Sequence, residues 1–247
     1  RTGVGERVYL LKHLLVVLVA LRARIGDRLL DFEVRAGLGG AYYGSSDAGE
    51  FLATVEGIED GNFESWFTAF VATGDRVREA ADQALNPVSK AEAYLRAANY
   101  YGLANVFVDG TEDPSRQLPT WQAHMDCWNA FCGLRSPRVD RLAIPLDGVE
   151  MPGWFFKAAE DNTPRPTIVF TNGSDGPTAG MWAFGIAGAL RRGYNAFTYD
   201  GPGQNTLLWV HDIPFRHDSE TSIFLHFETN KTAYDIVQNH CKNLIIY

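Results

Sequence analysis

The sequence predicts an α/β protein in two parts, a helical N-terminal domain over 1–138 followed over 139–247 by a sheet that starts with a β-hairpin and continues as parallel βαβ units. Three observations predict it. Apolar residues recur at three and four spacing from 31 to about 134, with few β-branched runs. After Pro137 the period becomes two. A short, continuously apolar run, 167–171 (TIVFT), and a second short strand, 195–199 (NAFTY), then flank a helical stretch, which is the spacing of a right-handed parallel crossover.

Three or four helices are expected in the first part. Residues 65–84 place Trp66, Phe70, Val77 and Ala81 on one stripe, with Glu79 and Asp82 facing outward. Residues 90–108 form a second helix, entered after Asn86-Pro87 with Ser89 as its cap. Residues 118–131 form a third, with Pro119 near its start and Trp121, Met125 and Trp128 at helical spacing, read as core. In the second part, 138–146 and 149–158 are extended runs joined by Asp147-Gly148, a strong two-residue hairpin signal. A helix over 181–192 links the two short strands, and a helix over 232–242 leads into a last buried strand, 243–247 (NLIIY).

Composition narrows the function. The 247 residues are 46% hydrophobic and 21% charged, enough for one large or two modest domains. A net charge of -8, from 22 basic and 30 acidic residues, argues against nucleic acid as a partner. The three cysteines, Cys127, Cys132 and Cys241, lack CxxC spacing and suggest neither a disulfide framework nor a zinc site; a cytoplasmic location is expected. The apolar run 8–21 (VYLLKHLLVVLVAL) contains Lys12 and His13 and is shorter than the roughly 20 residues a span needs, so no membrane insertion is expected. It reads as a buried helix, with a secretory core lacking a good cleavage site as the competing reading. His211 and His217 invite a metal, but Pro214 opposes a helix between them and a solvated loop is preferred.

Two glycine-rich turns carry the functional signal, because ligands of open α/β sheets bind beyond the carboxyl ends of the strands. The second, 200–204 (DGPGQ), fails as a dinucleotide fingerprint: Thr206 stands where the third glycine belongs, and no helix is expected to open there. The first, 172–176 (NGSDG), follows the third strand, where small residues let a backbone N–H point into a site as an oxyanion donor; a plain tight turn is the alternative.

The runs TNGSDGP (171–177), RGYN (192–195), YDGPGQ (199–204), Phe215-Arg216 and 218–220 resemble α/β-hydrolase-fold enzymes with an N-terminal helical domain, of the 2,6-dihydroxypseudooxynicotine hydrolase and acyl-peptidase-like branch. Upstream blocks agree: Tyr43-Gly44, Glu64-Ser65-Trp66, YLRAANYY (94–101), Asp113-Pro114 and Phe155-Phe156. The resemblance covers about 31–220. The chain departs from the pattern after Glu220, and Asn205 stands in place of a more usual glycine.

The resemblance implies a serine hydrolase acting on ester, amide or C–C bonds of a small organic substrate, without a cofactor. It implies an oxyanion turn at Gly173, Ser174 and Asp175, and a helical domain that covers the site and contacts substrate. Its G-x-S-x-G elbow should follow the fifth strand, yet no such motif occurs in these residues. Ser174 lies one residue short of one and after the wrong strand. The nucleophile, acid and histidine are therefore expected beyond Tyr247, with truncation before the elbow as the simplest account, negligible hydrolase activity for the chain as written, and homo-oligomer formation through an exposed sheet edge. A non-catalytic relative that binds a ligand or partner is the alternative, and a nucleotide-binding protein is disfavoured by Thr206.

Overall fold

The computed structural model describes residues 26–161 and 163–216, and the backbone of Cys241–Ile246. Expectations for 8–21 and 232–240, and for His217, lie outside the described residues.

Among the described residues five α-helices precede the sheet, where three or four were expected: α1 (Arg28–Gly39), α2 (Ala48–Glu56), α3 (Phe63–Gln83), α4 (Pro87–Asn105) and α5 (Gln117–Leu134), with a 3-10 turn at Gly40–Tyr43. Side-chain caps fix several starts. Asp27 accepts from the N–H groups of Leu29 and Leu30, Asp47 from Glu50, and Asn62 from Ser65. The cap of α4 is Asn86 rather than Ser89. Pro87 takes the first helical position, where its missing N–H costs nothing, and the Asn86 carboxamide accepts from Val88 and Ser89. Trp66, Phe70, Val77 and Ala81 are buried along α3 as their spacing requires, and the Trp66 indole donates to Leu103 O of α4 at 2.7 Å.

The strands are β1 (Val139–Leu146), β2 (Val149–Phe156), β3 (Arg165–Thr171), β4 (Asn195–Tyr199) and β5 (Cys241–Ile246), in the spatial order β1-β2-β4-β3-β5. The β1–β2 hairpin turns through Asp147 (φ 49°) and Gly148 (φ 88°), the two left-handed residues a tight hairpin needs. β2 and β4 are antiparallel; β3 is parallel to both β4 and β5. β5 begins at Cys241, earlier than expected, because Cys241 already pairs with Arg165.

The helix expected over 181–192 is a π-helical turn, Trp182–Ile186, followed by the short α6 (Ala187–Arg191). The wider turn presses Gly185 onto the Phe170 ring of β3, where a Cβ would have no room. A second short helix, α7 (Asn205–Trp209), does open after DGPGQ, against expectation. Five residues are too few to show a helical period.

Both faces of the sheet are covered. Leu142, Ile144, Met151, Phe155 and Phe197 pack with Leu207 of α7 on one face. On the other, Val139, Trp154, Phe156, Phe170 and Ala196 join the helical core. Aromatic contacts form that seam: Trp128 of α5 lies 6.0 Å from Trp154 and 5.9 Å from Phe156, and Phe131 lies 5.1 Å from Trp182. Among the described residues, no helix is long and apolar enough to cross a membrane.

Candidate functional site

Pairing in register brings the carboxyl ends of β3 and β4 together, and with them the two glycine-rich turns. Side chains of the second turn hold the first. Gln204 donates through Nε2 to Asn172 O and accepts the Gly201 N–H at 2.7 Å. Asn172 in turn bonds within its own turn, its Nδ2 to Gly176 O and its Oδ1 from Gly173 N at 2.9 Å.

Beneath both turns lies Asp200, fully buried. Thr178 donates to Oδ1 at 2.8 Å, Asn205 Nδ2 to Oδ1 at 3.2 Å, and Thr206 to Oδ2 at 2.7 Å. Burial pushes its carboxyl above the usual range, and these hydrogen bonds pull the other way. Asn205 has φ 33°, in the left-handed region where glycine is the default residue, which is a backbone reason for the glycine that the resemblance leads one to expect here. Asn tolerates that region better than most residues, and its side chain also reaches Gly176 O at 3.1 Å. Thr206, at the third position of the failed dinucleotide pattern, is engaged with a buried carboxylate, an unsuitable neighbour for a phosphate.

The helical layer closes over this platform. Gly102 of α4 stands so close to Pro177 that a Cβ would strike the proline ring, and the Trp182 indole donates to Tyr43 O at 2.9 Å. Gly102→Ala should therefore destabilise the protein despite the helix-favouring exchange, worth about 1 kcal/mol by itself. A rise in thermal midpoint would show that α4 and the turn can separate at no cost.

Between the two layers is a cleft of about 540 Å³, lined by α1, the 3-10 turn, α4 and the segment from Asn172 to Phe184. Its walls are largely apolar: Phe32, Tyr42, Tyr43, Leu103, Met181 and Phe184. Of the residues expected to form the oxyanion turn, Gly173 and Asp175 line the cleft; Ser174, exposed between them, does not. The Gly173 N–H is taken by Asn172, whereas among the described residues nothing accepts from the N–H of Ser174 or Asp175. Of the aromatic residues in the helical domain, Phe32, Tyr42 and Tyr43 reach the cleft. Trp66, Tyr100 and Tyr101 are core, with the two hydroxyls bonded to Glu50 and Asp75.

Sequence reasoning missed Glu33. It lines the cleft from α1, and burial, with Asp175 nearby, holds its carboxyl above the usual range. Among the described residues no group of three His, Cys, Asp or Glu is placed to hold a metal, and His211 is exposed.

No family model matches the chain. Among curated proteins it is similar to the hydrolase LUC6 of a Fusarium species, 32% identical over 197 residues, covering 77% of this chain and 47% of that one. It is also similar to the 20-hydroxy-prefusarin hydrolase FUS2 of Gibberella moniliformis, 31% identical over 217 residues (83% and 52%), and to the alpha/beta hydrolase xenA of Xenoacremonium sinensis, 29% over 199 (78% and 46%). The chain thus spans about half the length of the curated relatives it matches. Among solved structures, 2,6-dihydroxy-pseudo-oxynicotine hydrolase superposes with a TM-score of 0.62 at 17% identity, over 79% of this chain and 54% of that one, a likeness of fold.

Proposed function

The chain belongs to the α/β-hydrolase family, and from that premise we propose that it supplies the helical cap and the oxyanion half of a serine hydrolase acting on an ester, amide or carbon–carbon bond of a small organic molecule. The observation that carries this reading is the cleft itself, a substrate-sized, largely apolar space lined by Gly173 and Asp175, where among the described residues nothing accepts from the Asp175 N–H. Gly173 gives the turn its shape, and the N–H groups of Ser174 and Asp175 are the donors toward a developing oxyanion.

The nucleophile belongs after β5. Ile246 pairs opposite Val169, so an elbow following β5 would rise beside the turn that follows β3. The helical layer acts as the cap, with Tyr42 and Tyr43 touching substrate. Neither cofactor nor nucleic acid takes part, the site of action is the cytoplasm, and an exposed sheet edge is where a second copy would pair.

Fluorophosphonate labelling of the complete gene product tests this. Stoichiometric labelling of a serine C-terminal to β5, with turnover of an activated ester, is expected; labelling at Ser174, or none, would overturn the assignment. A second reading is a non-catalytic relative that uses the same cleft to bind a ligand. A folded natural product whose message stops after codon 247 would select it.

A further inference from the structure

The cleft has a polar patch in an otherwise largely apolar lining. Asn99 of α4 and Ser45, just after the 3-10 turn, both line it and are both buried, with Asn99 only 6% exposed. Ser46, the next residue, is buried as well, and its hydroxyl donates to Gly37 O of α1 at 2.7 Å. A carbonyl can only accept, so the Ser46 proton is committed there and its Oγ is left to accept. Asn99 supplies that donor, with Nδ2 3.1 Å from Ser46 Oγ. The contact fixes which end of the carboxamide faces Ser46, and Oδ1 is therefore the end left over.

Among the described residues nothing donates to Asn99 Oδ1. The buried side-chain oxygens of Asn105 and Asn205 lack partners too, but those are sealed inside the protein. The Asn99 oxygen is not sealed, and the space its side chain lines is the cleft. An amide acceptor held in largely apolar surroundings is costly until something donates to it. The neighbouring hydroxyl does not serve, because Ser45 donates to Gly40 O at 3.2 Å. Arg35, the basic side chain in the lining, is committed to Asp31 at 2.9 Å. Elsewhere in the lining room is left for an occupant: Gly39 has nothing within 4 Å of where a Cβ would stand.

We propose that Asn99 is a specificity-determining residue of this cleft, its Oδ1 accepting a hydrogen bond from an uncharged O–H or N–H group on the otherwise apolar molecule bound there. The inference rests on reading the cleft as the substrate site and adds which molecules it admits. Apolar walls separate candidates mainly by size. A fixed, unpartnered acceptor separates them by chemistry, because an analogue without the donor leaves that acceptor buried and unpaired.

Equilibrium dialysis of the complete gene product against two isosteric pairs tests the proposal without relying on catalysis. The pairs are 2-naphthol with 2-methylnaphthalene, for an O–H donor, and indole with indene, for an N–H donor. The hydrocarbon is the more apolar member of each pair, so burial of apolar surface alone would rank it first. The donor should instead bind about tenfold more tightly in at least one pair, the order expected of one hydrogen bond to a buried partner. Asn99→Leu, or Asn99→Ala if the larger side chain does not fold, should reverse that order. Hydrocarbons bound as well as donors in both pairs, no binding of any of the four, or a donor preference that survives loss of the amide would each overturn the proposal. The ligand comparison in the unaltered protein needs no variant to fold. Labelling of a serine beyond β5 without a donor preference would leave the hydrolase reading standing and remove this one; a preference dependent on Asn99 without labelling would keep the selecting role and remove the hydrolase reading.

Discussion

Asp200→Ala is expected to cost about 3–5 kcal/mol, because it leaves the buried donors of Thr178, Asn205 and Thr206 facing a void, at roughly 1–3 kcal/mol for each group left unmade. The loss should not stay local. Asn205 also binds Gly176 O, and Gln204, the next residue along, holds Asn172 O, so both turns should loosen together and the cleft should lose its floor. Chemical denaturation measures the cost, with Thr206→Ala, which removes a single donor, as the mild reference. Asp200→Asn separates charge from shape. The folded carboxyl titrates above its unfolded value, so the folded state holds the proton more tightly and its advantage, full in acid, is lost as the pH rises through the folded pKa. The stability gap between the natural protein and Asp200→Asn should therefore narrow as pH is raised; a constant gap would mean that the carboxylate's burial carries no penalty.

The second large effect is one of pH, at His124. The ring is fully buried, stacked 4.6 Å from Trp121, with Nδ1 donating to Ala98 O at 2.7 Å and Nε2 without a partner among the described residues. Burial lowers its pKa from 6.5 to about 4. As pH falls below the unfolded value, the unfolded chain takes up a proton that the folded chain refuses until about 4. Stability should fall across that window by about 3 kcal/mol and level off below it. His124→Phe keeps the stacking, and Ala98 O retains its place in the helix, so this variant should lack that part of the slope between pH 6.5 and 4. Parallel slopes for the two proteins would assign the acid sensitivity elsewhere.

The layout of the fold was readable because it rests on periodicity and turn chemistry, which are local. The stripe from Trp66 to Ala81, the Asp147-Gly148 hairpin and the two apolar runs flanking a helix are each visible within a few residues, and the family resemblance joined them into one architecture. What escaped depends on neighbours distant in sequence. The π-helical turn at Trp182–Ile186 exists against Phe170, and nothing in the local pattern announces that contact. Asn86 displaced Ser89 as the cap because proline at the first helical position outweighs a serine two residues later. At the site, the glycine-rich turn marked the floor, but Glu33 was invisible: on an amphipathic helix, a glutamate facing a cleft and one facing solvent have the same signature. Asn205 was noticed as a departure from a glycine, and its left-handed backbone gives the physical reason for the pattern.

The strand order has a kinetic consequence. β3, which carries the first glycine-rich turn, pairs with β4 across a short crossover but with β5 only after the chain has travelled from Arg165 to Cys241, whereas β1 and β2 meet across two residues. Closing a longer loop adds only about 0.6 kcal/mol per doubling of length, so the arrangement bears lightly on equilibrium. It bears on order of events, since non-local pairings must wait for their closure entropy to be met. In pulse-labelled hydrogen exchange, the hairpin amides should gain protection first and those shared by β3 and β5 last, so that the pairing beneath the cleft is the final one to be locked in place.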